Sequence, residues 1–270
     1  MSYKQNLHIH SVYCDGKNTP REMVRAAMEK GFDSLGFSGH APMTYSDYGI
    51  PFEKLDAYKR EIDGLKEEYK GEFPIFLGLE VDMYSGVDLT GYDYLIGAMH
   101  YCKMGGEIVD IDLSAATLKG MIDTYFGGDG MAFAKRYYEE FSQLPEYGKF
   151  DIVGHLDIIT KNIDTVPFVD VESKEYLGYA FETIRALKGN VPLFEINSGA
   201  MARGYRCTPY PHVELIKEFK RQGFGAVITS DCHMAEKLDC GFDLAEELLK
   251  ACGFREKYIL TEDGFKAVGL

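Results

Sequence analysis

The sequence predicts an α/β fold in which seven strand–helix units form a closed or nearly closed parallel barrel, with a helical insertion after strand four. Three observations carry this. Short apolar runs alternate with longer stretches of helical spacing, the pattern of a parallel sheet covered by helices. Seven such units recur with no internal repeat, linker or second composition zone. The 270 residues, 46% apolar and 13% aromatic, are enough for a large core.

Strands are expected over residues 6–10, 34–38, 75–81, 94–99, 151–154, 193–197 and 226–230, where short apolar runs are bounded by turn formers. "TPREMVRAAMEKG" opens the first helix, with Thr19 as N-cap, Pro20 in the first turn and Gly31 as the stop. "PFEKLDAYKREIDGLKEEY" reads as an amphipathic, charge-laced helix, and "SKEYLGYAFETIRALKGN", "PHVELIKEFKRQGF" and "GFDLAEELLKACGF" follow the same logic. Residues 101–149 lack a barrel strand and read as two helices broken at Gly127-Gly128, an insertion placed to form a lid or one wall of a pocket. The whole chain, 1–270, reads as one barrel domain containing that insertion.

Charge narrows the function. There are 29 basic and 43 acidic residues, a formal net charge of −14. With no basic stripe to offset it, this argues against a nucleic-acid partner but leaves room for a small phosphorylated one. No apolar run of about 18 residues is present. "MSYKQNLHIH" lacks the basic-then-apolar start of a leader. The expectation is therefore a cytoplasmic protein without a membrane partner; nothing in the sequence sets its oligomeric state. Six scattered cysteines without a CxxC pair read as reduced thiols.

The histidines carry the chemistry. In "LHIHSVYCDGK", His8 and His10 are two apart, so on a strand they share a face, and Asp15 follows on the next turn. "LGFSGH" ends in His40, "LIGAMH" in His100 and "DIVGH" in His155, while "VITSDCH" brings Asp231 and His233. "FLGLE" ends in Glu80, and "LFEIN" carries Glu195. Parallel barrel strands all end on one rim, so these groups converge there. Gathering so many ionisable side chains without a compensating cation would be very costly. Nitrogen and carboxylate ligands suit Zn, Mn or Fe, and the candidates exceed the needs of one ion, so a cluster of two or three divalent metals is expected. His212, after Pro211 at a helix start, reads as a cap or surface residue. Tyr13 reads as packing, and Asp110 and Asp112 as loop acids that could also meet a substrate ammonium.

"HIHSVYCDGK", "FSGHAP", "GLEVD", "GAMHY", "GHLDII" and "SDCH", in this order, resemble the polymerase-and-histidinol-phosphatase (PHP) family, and within it the histidinol-phosphatase branch. The resemblance runs from Leu7 to His233. It implies a distorted (β/α)7, TIM-like barrel with a trinuclear metal centre. It implies that His8, His10, Glu80 and Asp231 hold one metal, that Asp15, His40 and His233 hold a second, and that Glu80, His100 and His155 hold a third. Glu80 would bridge, and Asp15 stands where some members carry histidine. Glu195, with no required metal role, would orient a substrate amine or a water.

Phosphate also needs cations. Arg203 and Arg206 lie in the Gly-rich "NSGAMARGYRCTPYPH", and Lys161 follows His155 in "HLDIITKN". The expected reaction is metal-dependent phosphomonoester hydrolysis by a metal-activated hydroxide, with Asp231, His233 and Glu80 as the catalytic set. Resemblance makes L-histidinol phosphate the expected substrate, a step of histidine biosynthesis. The rivals are another small phosphate or a nucleotide, amide or lactone hydrolysis, and a non-catalytic metal-binding regulatory module.

Overall fold

The computed structural model describes residues 3–270. β1 (Gln5–Asn6) leads through α1 (Pro20–Glu29) to β2 (Ser34–Phe37), and α2 (Leu55–Glu68) leads to β3 (Ile75–Asp82) and β4 (Tyr94–Ala98). A hairpin of β5 (Tyr101–Met104) and β6 (Glu107–Asp110) comes next, then α3 (Ala115–Phe126) and α4 (Gly130–Phe141). The chain returns through β7 (Ile152–Val153), α5 (Lys174–Leu187), β8 (Leu193–Asn197), the short α6 (Gly199–Ala202), α7 (Val213–Gln222), β9 (Gly225–Thr229) and α8 (Phe242–Ala251). A second hairpin follows, β10 (Glu256–Thr261) and β11 (Gly264–Gly269).

Seven strands form one sheet in the order β1-β2-β3-β4-β7-β8-β9, every pair parallel. Its two ends approach each other. Ile9 bridges Cys232 in parallel, and the His10 N–H donates to the Cys232 carbonyl at 3.0 Å. The sheet is thus a nearly closed, distorted (β/α)7 barrel of TIM-like kind.

Most helix starts follow the local chemistry. Thr19 and Glu22 close a capping box on α1, and Ser173 caps α5. His212 caps α7, its Nδ1 accepting from the Glu214 N–H at 3.4 Å. α3 and α4 part at Gly127 and Gly128, both with positive φ, and Asp129 caps α4. Among the described residues no helix is long and apolar enough to cross a membrane.

Two expectations need correction, and one element was not foreseen. β1 pairs with β2 only over Gln5–Asn6, not 6–10. Beyond it the chain spans the barrel seam: the Ile9 N–H goes to Ser38 Oγ at 3.1 Å and His10 turns to Cys232. The inserted segment is not purely helical, because it begins with the β5–β6 hairpin. Gly105 and Gly106 both take positive φ there, as a type I′ two-residue hairpin turn requires. The β10–β11 hairpin was not expected, although "EDG" is a turn signal. It plugs the end of the barrel opposite the histidines. Gln5 Oε1 accepts from the Leu260 N–H at 2.7 Å, and Gln5 Nε2 donates to the Leu260 carbonyl at 2.9 Å.

The period-two alternation of strands explains how one barrel can be apolar below and ionic above. Phe76, Gly78 and Glu80 share a face on β3; Leu193, Glu195 and Asn197 do so on β8; Val227, Thr229 and Asp231 continue the same pattern through β9. The first residue of each set joins a buried cluster with Leu7, Tyr94, Ile96, Ile152 and Leu260. The Tyr94 ring fills this layer and its hydroxyl donates to the Leu7 carbonyl at 2.6 Å. A Cβ on Gly78 would lie 2.3 Å from Tyr94 Cζ, so glycine is required there.

Candidate metal centre

Directly above that apolar layer, all nine expected ligands come together. Their ligand atoms fall into overlapping groups, each within 4.8 Å: His10 with Asp15, His40 and His233; His8 with His155 and Asp231; His8 with His10 and Glu80; His40 with Glu80 and His100. Glu80 is the centre. Its Oε2 lies 2.8 Å from His40 Nδ1, 3.2 Å from His8 Nε2 and 3.6 Å from His10 Nε2. Its Oε1 lies 2.8 Å from His155 Nε2 and 3.4 Å from His100 Nε2. Asp231 Oδ1 is 3.1 Å from His10 Nε2 and 3.7 Å from His8 Nε2. Asp15 sits at the outer edge, Oδ2 3.0 Å from His233 Nε2 and Oδ1 3.7 Å from His40 Nε2. The His10 ring links the two ends, stacking on His233 at 4.1 Å.

The electrostatics call for positive charge. Burial alone would raise the Glu80 carboxyl pKa, yet His40, His8, His100 and the His155 hydrogen bond hold it well below its usual range. Burial likewise opposes ionisation of Asp231, but Arg203, His8 and His10 keep its pKa far down. Burial would lower the His8 pKa, and Glu195, Glu80 and Asp231 raise it well above normal. His10 differs: burial, with His233 and His40 adding to it, lowers its pKa to about 3, leaving the neutral imidazole that ligates metals. Buried His8 Nε2, Asp15 Oδ1 and Glu80 Oε2 make no hydrogen bond. Imidazole nitrogens and carboxylate oxygens so arranged fit divalent ions such as Zn, Mn or Fe.

The cluster opens into a cleft of about 200 Å³ lined by Tyr48, Asp112, Ile158, Lys161, Arg203 and Tyr205 together with the outer ligands. Arg203 Nη1 donates to the Asp231 carbonyl at 3.1 Å and Nη2 to Asp231 Oδ2 at 3.2 Å. Lys161 Nζ donates to the Asp112 carbonyl at 2.7 Å and pairs with the Asp112 carboxylate. Asp112 thus lies in the cleft wall, supplied by the inserted segment, whereas Asp110 accepts from the Asp112 N–H beside it.

A family model for the PHP domain matches residues 6–199. The chain belongs to the PHP family. The Bacillus subtilis histidinol-phosphatase is 28% identical over 273 residues, covering 92% of this chain and 99% of that one. The Lactococcus lactis enzyme of the same name is 26% identical, covering 97% and 96%. The crystal structure of L. lactis histidinol phosphate phosphatase, complexed with zinc, L-histidinol and phosphate, superposes with a TM-score of 0.72 at 22% identity, covering 97% of this chain and 98% of that one. That last likeness speaks for the fold.

Two expected substrate contacts in this PHP chain are corrected. Glu195 does not face the cleft: it is 1% exposed, and both oxygens are engaged within the barrel. Arg206 does not line the cleft either. Its guanidinium bonds to Thr160 and Thr208 and lies 4.8 Å over the Tyr210 ring. Tyr13 donates to Glu61 at 2.6 Å and packs edge-on against Tyr58, the packing role expected. Cys14 Sγ approaches His10 Nδ1 at 3.5 Å, where burial raises the thiol pKa to about 12.

Sequence reasoning missed Asp82, Asn197 and Tyr48. Asp82 Oδ2 accepts from the His100 N–H at 2.7 Å, and Asn197 Nδ2 donates to Glu195 Oε1 at 2.8 Å. Both follow a recognised carboxylate by two positions, so alternation was an available signal. Tyr48, edge-on to His40 at 4.7 Å, comes from a loop with no such signal.

Proposed function

We infer that this PHP chain is a metal-dependent phosphomonoester hydrolase acting on L-histidinol phosphate. The observation that carries the reading is the ring of nine ligands opening into a cleft whose wall bears Lys161 and Arg203. Near-full-length similarity to histidinol-phosphatases supports the substrate. His8, His10, Asp15, His40, Glu80, His100, His155, Asp231 and His233 would hold two or three divalent ions. Bound there, such ions supply Lewis-acid polarisation of phosphate and lower the pKa of water toward neutrality.

The chain's own groups do the rest. Arg203 is anchored on Asp231 beside His233 and lines the cleft, where its charge would meet phosphate oxygens and the charge that builds on them. Lys161, paired with Asp112 in the same cleft, adds a point charge. Asp112, a carboxylate in the cleft outside the ligand set, suits the cationic amine of the substrate. In this reading residues 1–270 form one barrel domain, and the inserted residues 101–149 give the cleft its Asp112 wall.

The test is a panel of phosphomonoesters on metal-loaded protein. L-Histidinol phosphate is expected to exceed p-nitrophenyl phosphate in kcat/KM by at least a hundredfold, and chelation to abolish turnover. Equal ranking would remove the substrate assignment, and activity that survives complete metal removal would remove the mechanism.

A further inference from the structure

We propose that Glu195 is a positioning residue that aims ligands from three separate parts of the barrel at the innermost metal position. Oε2 lies 2.8 Å from His8 Nδ1, the ring nitrogen opposite the one that faces Glu80 and Asp231. Oε1 accepts from the His155 backbone N–H at 2.7 Å, holding the segment that carries the His155 ring. Oε1 also accepts from Asn197 Nδ2 at 2.8 Å, and the same amide group reaches Asp231 Oδ2 at 3.4 Å. Thr229 Oγ1 donates to Oε2 at 2.8 Å, so the carboxylate has four donors and no freedom to turn.

These contacts select one geometry of the site. With an ion bound, a carboxylate on His8 Nδ1 would keep the proton there and leave the Nε2 lone pair, which faces Glu80 and Asp231, free to ligate, raising its basicity. His8, His155 and Asp231 form one of the ligand groups; Glu195 holds the first by its ring and the second by its backbone N–H, and reaches the third through Asn197. Asp15, His40 and His233 have no contact with Glu195 in this network; they lie at the outer edge and are paired among themselves. The role therefore belongs to the inner position and not to the outer one. Asp82 plays a lesser part for His100 alone, through its backbone N–H at 2.7 Å.

The inference rests on the metal reading of the preceding section, so the experiment separates the two. Metal-free full-length protein is titrated with Zn²⁺ against a competing chelator, and its thermal midpoint is followed without metal. Glu195→Gln is expected to weaken one class of Zn²⁺ sites, the inner one, by about 10–100-fold, the usual cost of losing such a partner, while the other class is unmoved. The metal-free midpoint should not fall in proportion, since the variant also removes a buried charge. Thr229→Val, which takes one donor from the carboxylate but leaves it in place, should give a smaller loss in the same class, and keeps the test open if Glu195→Gln does not fold. Wild-type affinity in folded Glu195→Gln or, failing that, in Thr229→Val, with only the midpoint lowered, would show a purely structural role and overturn the proposal. Absence of any Zn²⁺ binding by the wild-type chain would instead bring down the metal reading itself.

Discussion

Replacing Arg203 with alanine should cut kcat/KM for L-histidinol phosphate by roughly 10- to 150-fold. The magnitude follows from how the guanidinium is used. Nη1 and Nη2 each already donate to Asp231, at 3.1 and 3.2 Å, so the side chain does not offer its whole fork to phosphate. One charge-assisted hydrogen bond to the substrate is worth about 1.5–3 kcal/mol, and each 1.36 kcal/mol is about tenfold in rate. A full bidentate clamp would predict the square of that loss. Asp231 itself holds a left-handed φ of 43°, unusual for a residue with a side chain, and the Arg203 bond to its carbonyl helps maintain it. The assay is initial-rate kinetics at saturating metal, with bound metal measured in parallel on the same protein. Arg203→Lys should recover part of the loss, because it keeps the charge but not both contacts to Asp231. Turnover within twofold of wild type in Arg203→Ala, at equal metal content, would refute the phosphate role.

Other outcomes follow from the same geometry. Glu80→Gln should remove most bound metal and reduce turnover to background, because one carboxylate faces five imidazoles; elemental analysis showing full occupancy would contradict its central place. Chelation should lower the thermal midpoint by several degrees, since a ligand at 100 times its Kd adds about 2.7 kcal/mol; identical melting with and without metal would count against binding linked to the folded state. Gly78→Ala should destabilise the chain by about 1–3 kcal/mol through overpacking, as its Cβ would meet the Tyr94 ring at 2.3 Å. Denaturant titration showing no change would mean that the interior layer is looser than this contact requires.

Much of the site was legible because strand ends in a parallel barrel share one rim. His40, His100, His155 and His233 each close an apolar run, so their convergence needed no distance information. The split of helices at Gly127-Gly128 and the cap at Thr19 were legible for a similar reason: both depend on contacts within a few residues. The β5–β6 hairpin was harder, since its segments lack the apolar density of the barrel strands and only the Gly105-Gly106 turn marks it.

The sequence by itself determined the barrel class, the rim on which the histidines and carboxylates gather, and the family, because alternation and strand-end position are properties of the local chain. Only the tertiary structure decided which charged groups reach the cleft and which lie beneath the histidines. Glu195 and Asp231 both project from the inner barrel face, yet Glu195 ends beneath His8 and Asp231 beside the cleft. Arg203 turns to Asp231 and Arg206 to Thr160 and Tyr210, although they are three residues apart. Depth along the barrel and the direction of a loop depend on the stagger of neighbouring strands and on partners far away in the chain, and no local pattern encodes them.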